Sequence, residues 1–335
     1  MERLPESKRA AEPALLELRS KVPATLAGLP LVDYLCRRFP YLTRQAWLAE
    51  IARGRLHVAG RRASAEQLLA TGAAVTFFKE HLEPVVDRAI TLLHRGADFV
   101  AAAKPAHLPM HADGPFVRHT FVHLLGEQLG GAKVHLVHRL DRETSGVVIA
   151  ALTGQARAWF GAQFEGGQVQ KTYLAVVRGT AAASQFVVDA PIGRRGGSEI
   201  TLRRTAGPDA VEPQAASTEF EVLAERGGHS LVRCRPRTGR THQIRVHLEH
   251  AGLPIVGDKL YGRPDADYLA FVQRVKAGGD ARDVPAGEPD RQLLHAHALQ
   301  LLPHGANAAT TFVAPPPADF REWLQRLQLG EPPPA

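Results

Sequence analysis

Cysteine is scarce in this sequence, which has only Cys36 and Cys234 among its 335 residues and no C-x-x-C pair. This scarcity excludes a disulfide framework and a thiolate zinc site. The first residues, MERLPESKRA, lack the apolar stretch of a signal peptide. No uncharged apolar run approaches the ~20 residues that are needed to cross a bilayer. We therefore expect a cytoplasmic protein that has no membrane partner.

Motifs for metals and nucleotide cofactors are also missing. The 16 histidines include no H-E-x-x-H pattern, and the spacing from His242 to His247 turns these two side chains toward different faces of a helix. The segment RPRTGRTHQ lacks the Walker lysine pattern, and no G-x-G-x-x-G segment follows a strand-like run. The sequence therefore predicts neither a metal ion nor a nucleotide cofactor.

Acidic residues are in the minority. The chain has 41 Lys and Arg against 34 Asp and Glu, a formal net charge of +7 at pH 7. The planar guanidinium of arginine can donate two hydrogen bonds to one phosphate, so this excess favours a nucleic acid as partner. A basic surface that serves solubility alone is the alternative explanation.

Composition divides the chain into two predicted domains with a tail at each end. Residues 1–12 are polar and residues 329–335 end in EPPPA, so both segments are predicted to be disordered. The predicted domains are residues 13–80 and 85–328, and the second carries a predicted surface insertion at 263–292, which is rich in Gly, Asp and Pro. Short apolar strands and scattered helices indicate an α+β fold for the second domain.

The first predicted domain has the features of a small RNA-binding unit. Its segment LTRQAWLAEIARG predicts a helix with Thr43 as N-cap, with Trp47, Leu48 and Ile51 on one face, and with Gly54 at its end. Eight basic residues, including the Arg of YLTRQ, oppose four acidic ones between positions 28 and 80. YLTRQ and the ending I-x-x-G-x-L-x-V-x-G resemble an S4-type RNA-binding module. A capping domain with solvated arginines is the alternative.

The segment HRLDRETSG, residues 138–146, is unusually polar for a stretch between two apolar runs. Asp141 and Glu143 could form the carboxylate pair of a glycosidase, but we expect Glu143 to be a solvated surface residue. A catalytic aspartate in a closed pocket needs a nearby arginine that keeps it ionised. A buried Asp–Arg bridge that only supports the fold is the alternative interpretation of Asp141.

Further candidates lie downstream of this segment. Tyr173 could be a core residue or a ring that stacks on a base. The segment THQIRVHLEHAG predicts a helix that is capped by Thr241 and ended by Gly252, and a helix start attracts phosphate. A basic cluster leads into this helix: Arg235, Arg237, Arg240 and Arg245. An ion pair with Glu249 is the alternative role for Arg245.

Four segments together resemble the RluA-type family of pseudouridine synthases in order and spacing: HRLDRETSG, KTYLAVVRG, RPRTGRTHQIRVHLEHAGLPIVGDKLYG and LHAHAL. The resemblance covers most of residues 95–315. It implies a mixed, mostly antiparallel sheet with flanking helices and a central cleft. It also implies an enzyme that isomerises uridine in RNA to pseudouridine without a cofactor. An S4-like module ahead of the catalytic domain is a familiar arrangement in this family.

The resemblance also implies roles for individual residues. Asp141 would be the catalytic aspartate, Arg245 would pair with it, and Tyr173 would pack on the uracil ring. Arg139 would fill the gap that the flipped uridine leaves, and Ile244 would contact the base. The predicted RNA-binding set is completed by His138, Arg240 and Arg44. The sequence departs from the family at His107, where glycine is more frequent, in the loop 104–114.

Several alternatives stay open at this point. Asp141 could attack C1′ of the ribose or remove a sugar proton. We expect a monomer that acts on ribosomal RNA, with transfer RNA as the second possible substrate. A catalytically silent RNA-binding or ribosome-assembly protein is the competing function.

Overall fold

The computed structural model describes residues 12–277 and 279–332, and the chain separates into two compact units between Val85 and Val86. Residues 1–11 and 333–335 of the two predicted tails lie outside the described residues. Glu12 nevertheless begins a strand, and Leu329, which the sequence assigned to the C-terminal tail, is buried in a core cluster. None of the helices in these two described ranges is long and apolar enough to span a membrane.

The N-terminal unit combines two helices with a four-stranded sheet in the order β1-β4-β2-β3. The Thr43 hydroxyl accepts a hydrogen bond from the Ala46 N–H at 3.3 Å, so the predicted N-cap is confirmed. Trp47 is fully buried, whereas Leu48 is 38% exposed and does not belong to the predicted apolar face. The elements are β1 (Glu12–Lys21), α1 (Leu31–Arg38), α2 (Arg44–Ala52), β2 (Leu56–Val58), β3 (Arg61–Arg62) and β4 (Ala74–Glu83).

The C-terminal unit is built on a ten-stranded sheet whose main path is β10-β14-β15-β9-β16-β8-β6-β5. Its pairs are antiparallel except for β8 with β16, so the predicted α+β class with a mostly antiparallel sheet is confirmed. A separate three-stranded sheet has the order β12-β11-β13. The strands are β5 (Thr91–Arg95), β6 (Phe99–Lys104), β7 (His135–Leu136), β8 (Ser145–Ala151), β9 (Gln170–Arg178), β10 (Gln185–Asp189), β11 (Ile192–Arg195), β12 (Arg204–Ala206), β13 (Ala210–Gln214), β14 (Ser217–Arg226), β15 (His229–Pro236), β16 (Leu294–Leu301) and β17 (Thr310–Val313).

Helices cover both faces of this sheet, which explains the continuous apolar run of strand β9. Leu174 and Val176 pack into a cluster with α7, whereas Ala175 and Val177 pack on the opposite face, in the cluster of α5. A third cluster unites β6 and β8 with α3 and α4. The helices are α3 (Phe121–Gln128), α4 (Gly154–Glu165), α5 (Gln243–His250), α6 (Asp265–Lys276) and α7 (Ala318–Arg326).

Helix α5 begins differently from the sequence prediction. Thr241 does not cap it; His242 precedes the helix in the left-handed conformation, with φ of 59°, and has no side-chain capping bond. The Gln243 side-chain oxygen instead accepts hydrogen bonds from the Arg240 N–H at 2.9 Å and from the Thr238 hydroxyl at 2.7 Å. A folded loop therefore replaces a simple cap, and Gly252 follows the helix with positive φ as predicted.

The predicted surface insertion at 263–292 is only partly correct. Its first half forms helix α6, which has no fully buried residue. Its last residues are core: Arg291 and Gln292 are 0% and 1% exposed. Arg291 donates from Nε to the Asp319 carboxylate at 2.5 Å, and this partner lies beyond the segment, so composition could not reveal the burial.

Gly146, at the start of β8, is required by the parallel β8–β16 pair. Its φ is 125°, and a Cβ at this position would lie 2.1 Å from the Ala296 carbonyl oxygen. We expect Gly146→Ala to lower the free energy of unfolding by about 3 kcal/mol or more, measured by denaturant titration. Gly161→Ala is the control, since it lies in α4 with open space around it and should raise stability by about 0.5–1 kcal/mol. Equal midpoints for Gly146→Ala and the unsubstituted protein would contradict this account.

Candidate active site

The first seven residues of HRLDRETSG, 138–144, lie in the loop between β7 and β8, Ser145 and Gly146 begin β8, and a buried lysine holds the loop in place. Lys104 is 1% exposed and donates from Nζ to the carbonyls of Pro105, Leu108 and Arg142 at 2.8, 2.9 and 3.0 Å. Burial lowers the pKa of Lys104 well below its ordinary value. This lysine therefore ties the loop of residues 138–144 to the neighbouring loop after β6.

The structure brings Asp141 and Arg245 together, although 104 positions separate them in the chain. The Arg245 guanidinium donates from Nη1 to the Asp141 carboxylate at 2.9 Å. The Gln292 amide lies 3.5 Å from the same carboxylate oxygen, and the His242 ring lies 3.9 Å from the other. The predicted pairing of the two residues is thus confirmed.

A second carboxylate, which the sequence interpretation missed, fixes the other edge of Arg245. The fully buried Asp258 side chain accepts from Nε and Nη2 of Arg245 at 2.7 and 2.9 Å. It also accepts the N–H groups of Leu260 and Tyr261 at 2.9 and 3.0 Å. The Tyr261 ring lies 4.8 Å from the guanidinium. A lone acid in the apolar stretch PIVGDKLYG was the available signal.

Asp141 is ionised at neutral pH. Burial raises the pKa of its carboxyl, but the charge that His242 carries at low pH, the charge of Arg245 and the hydrogen bonds from Arg245 and Gln292 outweigh burial and lower the pKa to about 2. Burial and Arg245 lower the pKa of His242 to about 4, so His242 is neutral at pH 7. Arg245 is therefore the cation that keeps Asp141 ionised under working conditions.

Asp141 opens into a cavity of about 110 Å³, which we call the target cavity. Tyr173 lines it, and burial, followed by the charge of Asp141, raises the pKa of this hydroxyl, so that it is neutral at pH 7 and a poor base. Ile244, which is 6% exposed, supplies an apolar wall. The other lining residues are Arg139, Leu140, Thr144, Lys171, Pro236, Thr238, Gly239, Arg240, His242, Gln243, Arg245 and Leu294.

Two arginines stand at the rim of the target cavity. Arg139 is exposed and forms no ion pair or hydrogen bond with any other residue of the described ranges. Arg240 is also exposed, and its Nε donates to the Ala215 carbonyl at 3.0 Å, which leaves its terminal nitrogens available. Both side chains can therefore approach a polyanion.

Two predicted RNA-binding residues have other partners. His138 is engaged within the protein: its Nε2 accepts the Ile149 N–H at 3.0 Å and its ring stacks on Phe164 at 4.5 Å. Burial, followed by the charge of Lys171, lowers the pKa of His138 to about 3, so this residue is a neutral support for the loop. Arg44 lies in the N-terminal unit, where it pairs with Asp33.

Glu143 is not the solvated residue that the sequence suggested. Only 12% of its side chain is exposed, and the Lys259 ammonium donates to it at 2.6 Å. The Gln292 N–H also points to this carboxylate, at 3.3 Å. Glu143 therefore anchors the end of the loop through an ion pair. It is not among the residues that line the target cavity.

His107 occupies a backbone position that favours glycine. Its φ is 60°, in the left-handed region, which explains why a glycine is common at this place in the family that the sequence resembles. Its Nε2 lies 3.4 Å from the Asp290 carboxylate. As for metals, no group of three or more His, Cys, Asp or Glu side chains among the described residues could hold an ion.

Comparisons with known proteins agree on one family. Residues 98–250 match the family model described as RNA pseudouridylate synthase. RNA pseudouridine synthase 7 of Arabidopsis thaliana is 34% identical over 278 residues, which cover 81% of this chain and 70% of that protein. Ribosomal large subunit pseudouridine synthase D of Xanthomonas campestris pv. campestris is 31% identical over 333 residues, covering 96% of each chain.

A solved structure supports the same assignment. Human RNA Pseudouridylate Synthase Domain Containing 4 superimposes with a TM-score of 0.56 at 29% identity, covering 72% of this chain and 95% of that one. The fold, the sequence match and the resemblance of the four segments are consistent with one another. The chain belongs to the RluA-type family of RNA pseudouridine synthases.

Proposed function

We propose that this enzyme isomerises uridine in ribosomal RNA by flipping the target base into the target cavity, where Asp141 is the catalytic carboxylate. One observation carries the proposal. An aspartate that Arg245 keeps ionised opens into a cavity with an aromatic wall, Tyr173, and an aliphatic wall, Ile244. A flat pyrimidine fits between two such walls, and its ribose then lies at the carboxylate.

The chemistry of the isomerisation accounts for an anionic residue at this place. The N1–C1′ bond breaks, the uracil turns while it is still bound, and C5 forms a new bond to C1′. The C5 proton leaves and N1 gains a proton, so the composition of the nucleoside is unchanged. Positive charge develops at C1′ while the base departs, and a preorganised carboxylate stabilises it, as in glycoside cleavage.

Base flipping explains the exposed Arg139 beside the target cavity. Removing a base from its stack costs a few kcal/mol. A planar cation that enters the vacancy recovers part of this free energy by stacking on the neighbouring bases. Arg139 belongs to the same loop as Asp141, so one segment fills the stack and acts on the sugar. Arg240, in the loop before α5, is proposed to contact the phosphate backbone.

Ribosomal RNA is the proposed substrate because one relative that is named for the ribosome aligns with nearly the whole chain. The relative whose name specifies the large ribosomal subunit aligns over 96% of both chains, so the likeness includes the N-terminal unit. We assign residues 13–80 as an S4-like RNA-binding domain, with Arg44 near its surface and an excess of basic residues. Modification of transfer RNA is an outcome that the following assay also detects.

Asp141→Asn should abolish pseudouridine formation while RNA binding is retained, since the amide keeps the shape of the carboxyl and loses its charge. The assay measures release of tritium from [5-³H]uridine in unmodified large-subunit ribosomal RNA and in transfer RNA transcripts. Glu143→Gln is the matched control and should keep most of the turnover. Activity in Asp141→Asn would overturn the catalytic assignment, and turnover of transfer RNA alone would overturn the substrate assignment.

Arg139→Ala should reduce modification of a base-paired RNA by about 10- to 100-fold, because the flipped state loses its gap-filling side chain. On a flexible single strand that contains the same uridine, the loss should be much smaller, since no helix has to be held open. Arg157→Ala, on the exposed face of α4, controls for the loss of one positive charge. Equal losses on both RNAs would contradict the gap-filling role.

The low pKa of Asp141 predicts how activity depends on pH. A folded-state pKa of about 2, below the ordinary 3.8, means that the carboxylate and its contribution to stability persist above pH 3.8 and are lost only as the pH falls through about 2. The turnover rate should therefore show no decline from Asp141 protonation between neutral pH and pH 5.

The double variant Arg245→Gln, Asp258→Asn should behave differently. It removes the cation and neutralises the second carboxylate, so that only His242 and the Gln292 amide still oppose burial and the pKa of Asp141 rises from about 2. An acid limb should then appear in the pH–rate profile, with folding checked by circular dichroism. An unchanged profile in a folded variant would contradict the role of Arg245.

A further inference from the structure

A second and larger chamber adjoins Asp141. Its volume is about 360 Å³, against about 110 Å³ for the target cavity, and Tyr173 does not line it. We call it the flank chamber. Its walls are the loop of residues 109–116, helix α6 and the loop of residues 138–144 that carries Asp141. Five residues line both spaces: Arg139, Leu140, Asp141, His242 and Arg245.

Three aromatic rings line the flank chamber, and one of them is available to a ligand. Phe116 is 9% exposed and therefore belongs to the wall. The Phe271 ring already meets two cations, Lys259 at 5.6 Å and Arg274 at 5.7 Å. Tyr268 is half-buried, its ring contacts that of Phe271 at 6.1 Å, and its hydroxyl has no hydrogen-bond partner among the residues that the structure describes. Burial raises the pKa of Tyr268, so this hydroxyl is a neutral donor.

The cations of the flank chamber differ in how strongly they are engaged. Arg245 is bound by two aspartates, and Lys259 is bound by Glu143 at 2.6 Å. Arg142 reaches Glu143 only at 3.7 Å, its guanidinium lies 5.9 Å from the Phe116 ring, and 36% of its side chain is exposed. Arg139 is exposed at the junction with the target cavity. Arg139 and Arg142 can therefore meet a phosphate without breaking a close ion pair.

We propose that the flank chamber receives the nucleotide next to the target uridine, with its base against Tyr268 and its phosphate toward Arg139 and Arg142. This inference rests on the proposed function of the target cavity. RNA is a continuous chain, so a uridine beside Asp141 brings its neighbour to within one phosphodiester of the same residue. The flank chamber is the space that shares Asp141, and its stacking ring accepts any base.

The test is a double-mutant cycle between Tyr268 and the RNA. A synthetic stem–loop with an unmodified uridine at the target position is prepared intact. It is also prepared without the base of the 5′ neighbour, or without the base of the 3′ neighbour. On intact RNA, Tyr268→Ala should raise KM about tenfold, as expected for the loss of one base–aromatic stack. Removal of one neighbouring base should raise KM of the unsubstituted enzyme by a similar factor, and should not raise that of Tyr268→Ala further.

Two variants separate stacking from a structural effect. Tyr268→Phe keeps the ring and should retain most of the affinity, and Gln273→Ala, on an exposed position of α6, should leave KM unchanged. An unchanged KM in Tyr268→Ala, or independent losses from Tyr268→Ala and from both base removals, would overturn the inference. Turnover of intact RNA by the unsubstituted enzyme reports separately on the proposed function, and its absence would overturn both.

Discussion

The ion pair between Asp141 and Arg245 is the interaction on which the site depends. Buried charges are costly unless they are paired and hydrogen-bonded, and here one guanidinium serves two carboxylates while Asp258 is held by two backbone N–H groups. The three charged groups come from the loop before β8, from α5 and from the loop after it. The fold therefore has to be complete before the carboxylate can be ionised in its cavity.

Three titratable side chains close to this pair are kept neutral at pH 7: His138, His242 and Tyr173. Burial lowers the pKa values of His138 and His242 and raises that of Tyr173. None of these three side chains carries a negative charge that would compete with Asp141 for the Arg245 guanidinium. A negative group that is fixed before the substrate arrives is what a developing positive charge at C1′ requires.

Local patterns predicted the Thr43 cap and the α+β class. The pairing of Asp141 with Arg245, 104 positions apart, was implied only by the resemblance to a family. Asp258 and Gln292 were missed, since their importance comes from contacts with residues far away in the chain. Glu143 was misjudged for the same reason, since its partner Lys259 lies 116 positions away, and spacing along the chain does not reveal the contacts of His138 with Ile149 and Phe164 either.

A structure of the enzyme with RNA that carries 5-fluorouridine at the target position tests the central claim most directly, because the fluorine blocks loss of the C5 proton. We expect the base to lie between Tyr173 and Ile244, with C1′ facing the Asp141 carboxylate, which Arg245 still holds. We also expect Arg139 to occupy the place in the stack that the base has left. A uridine that remains stacked in the RNA, or a ribose that is turned away from Asp141, would contradict the claim.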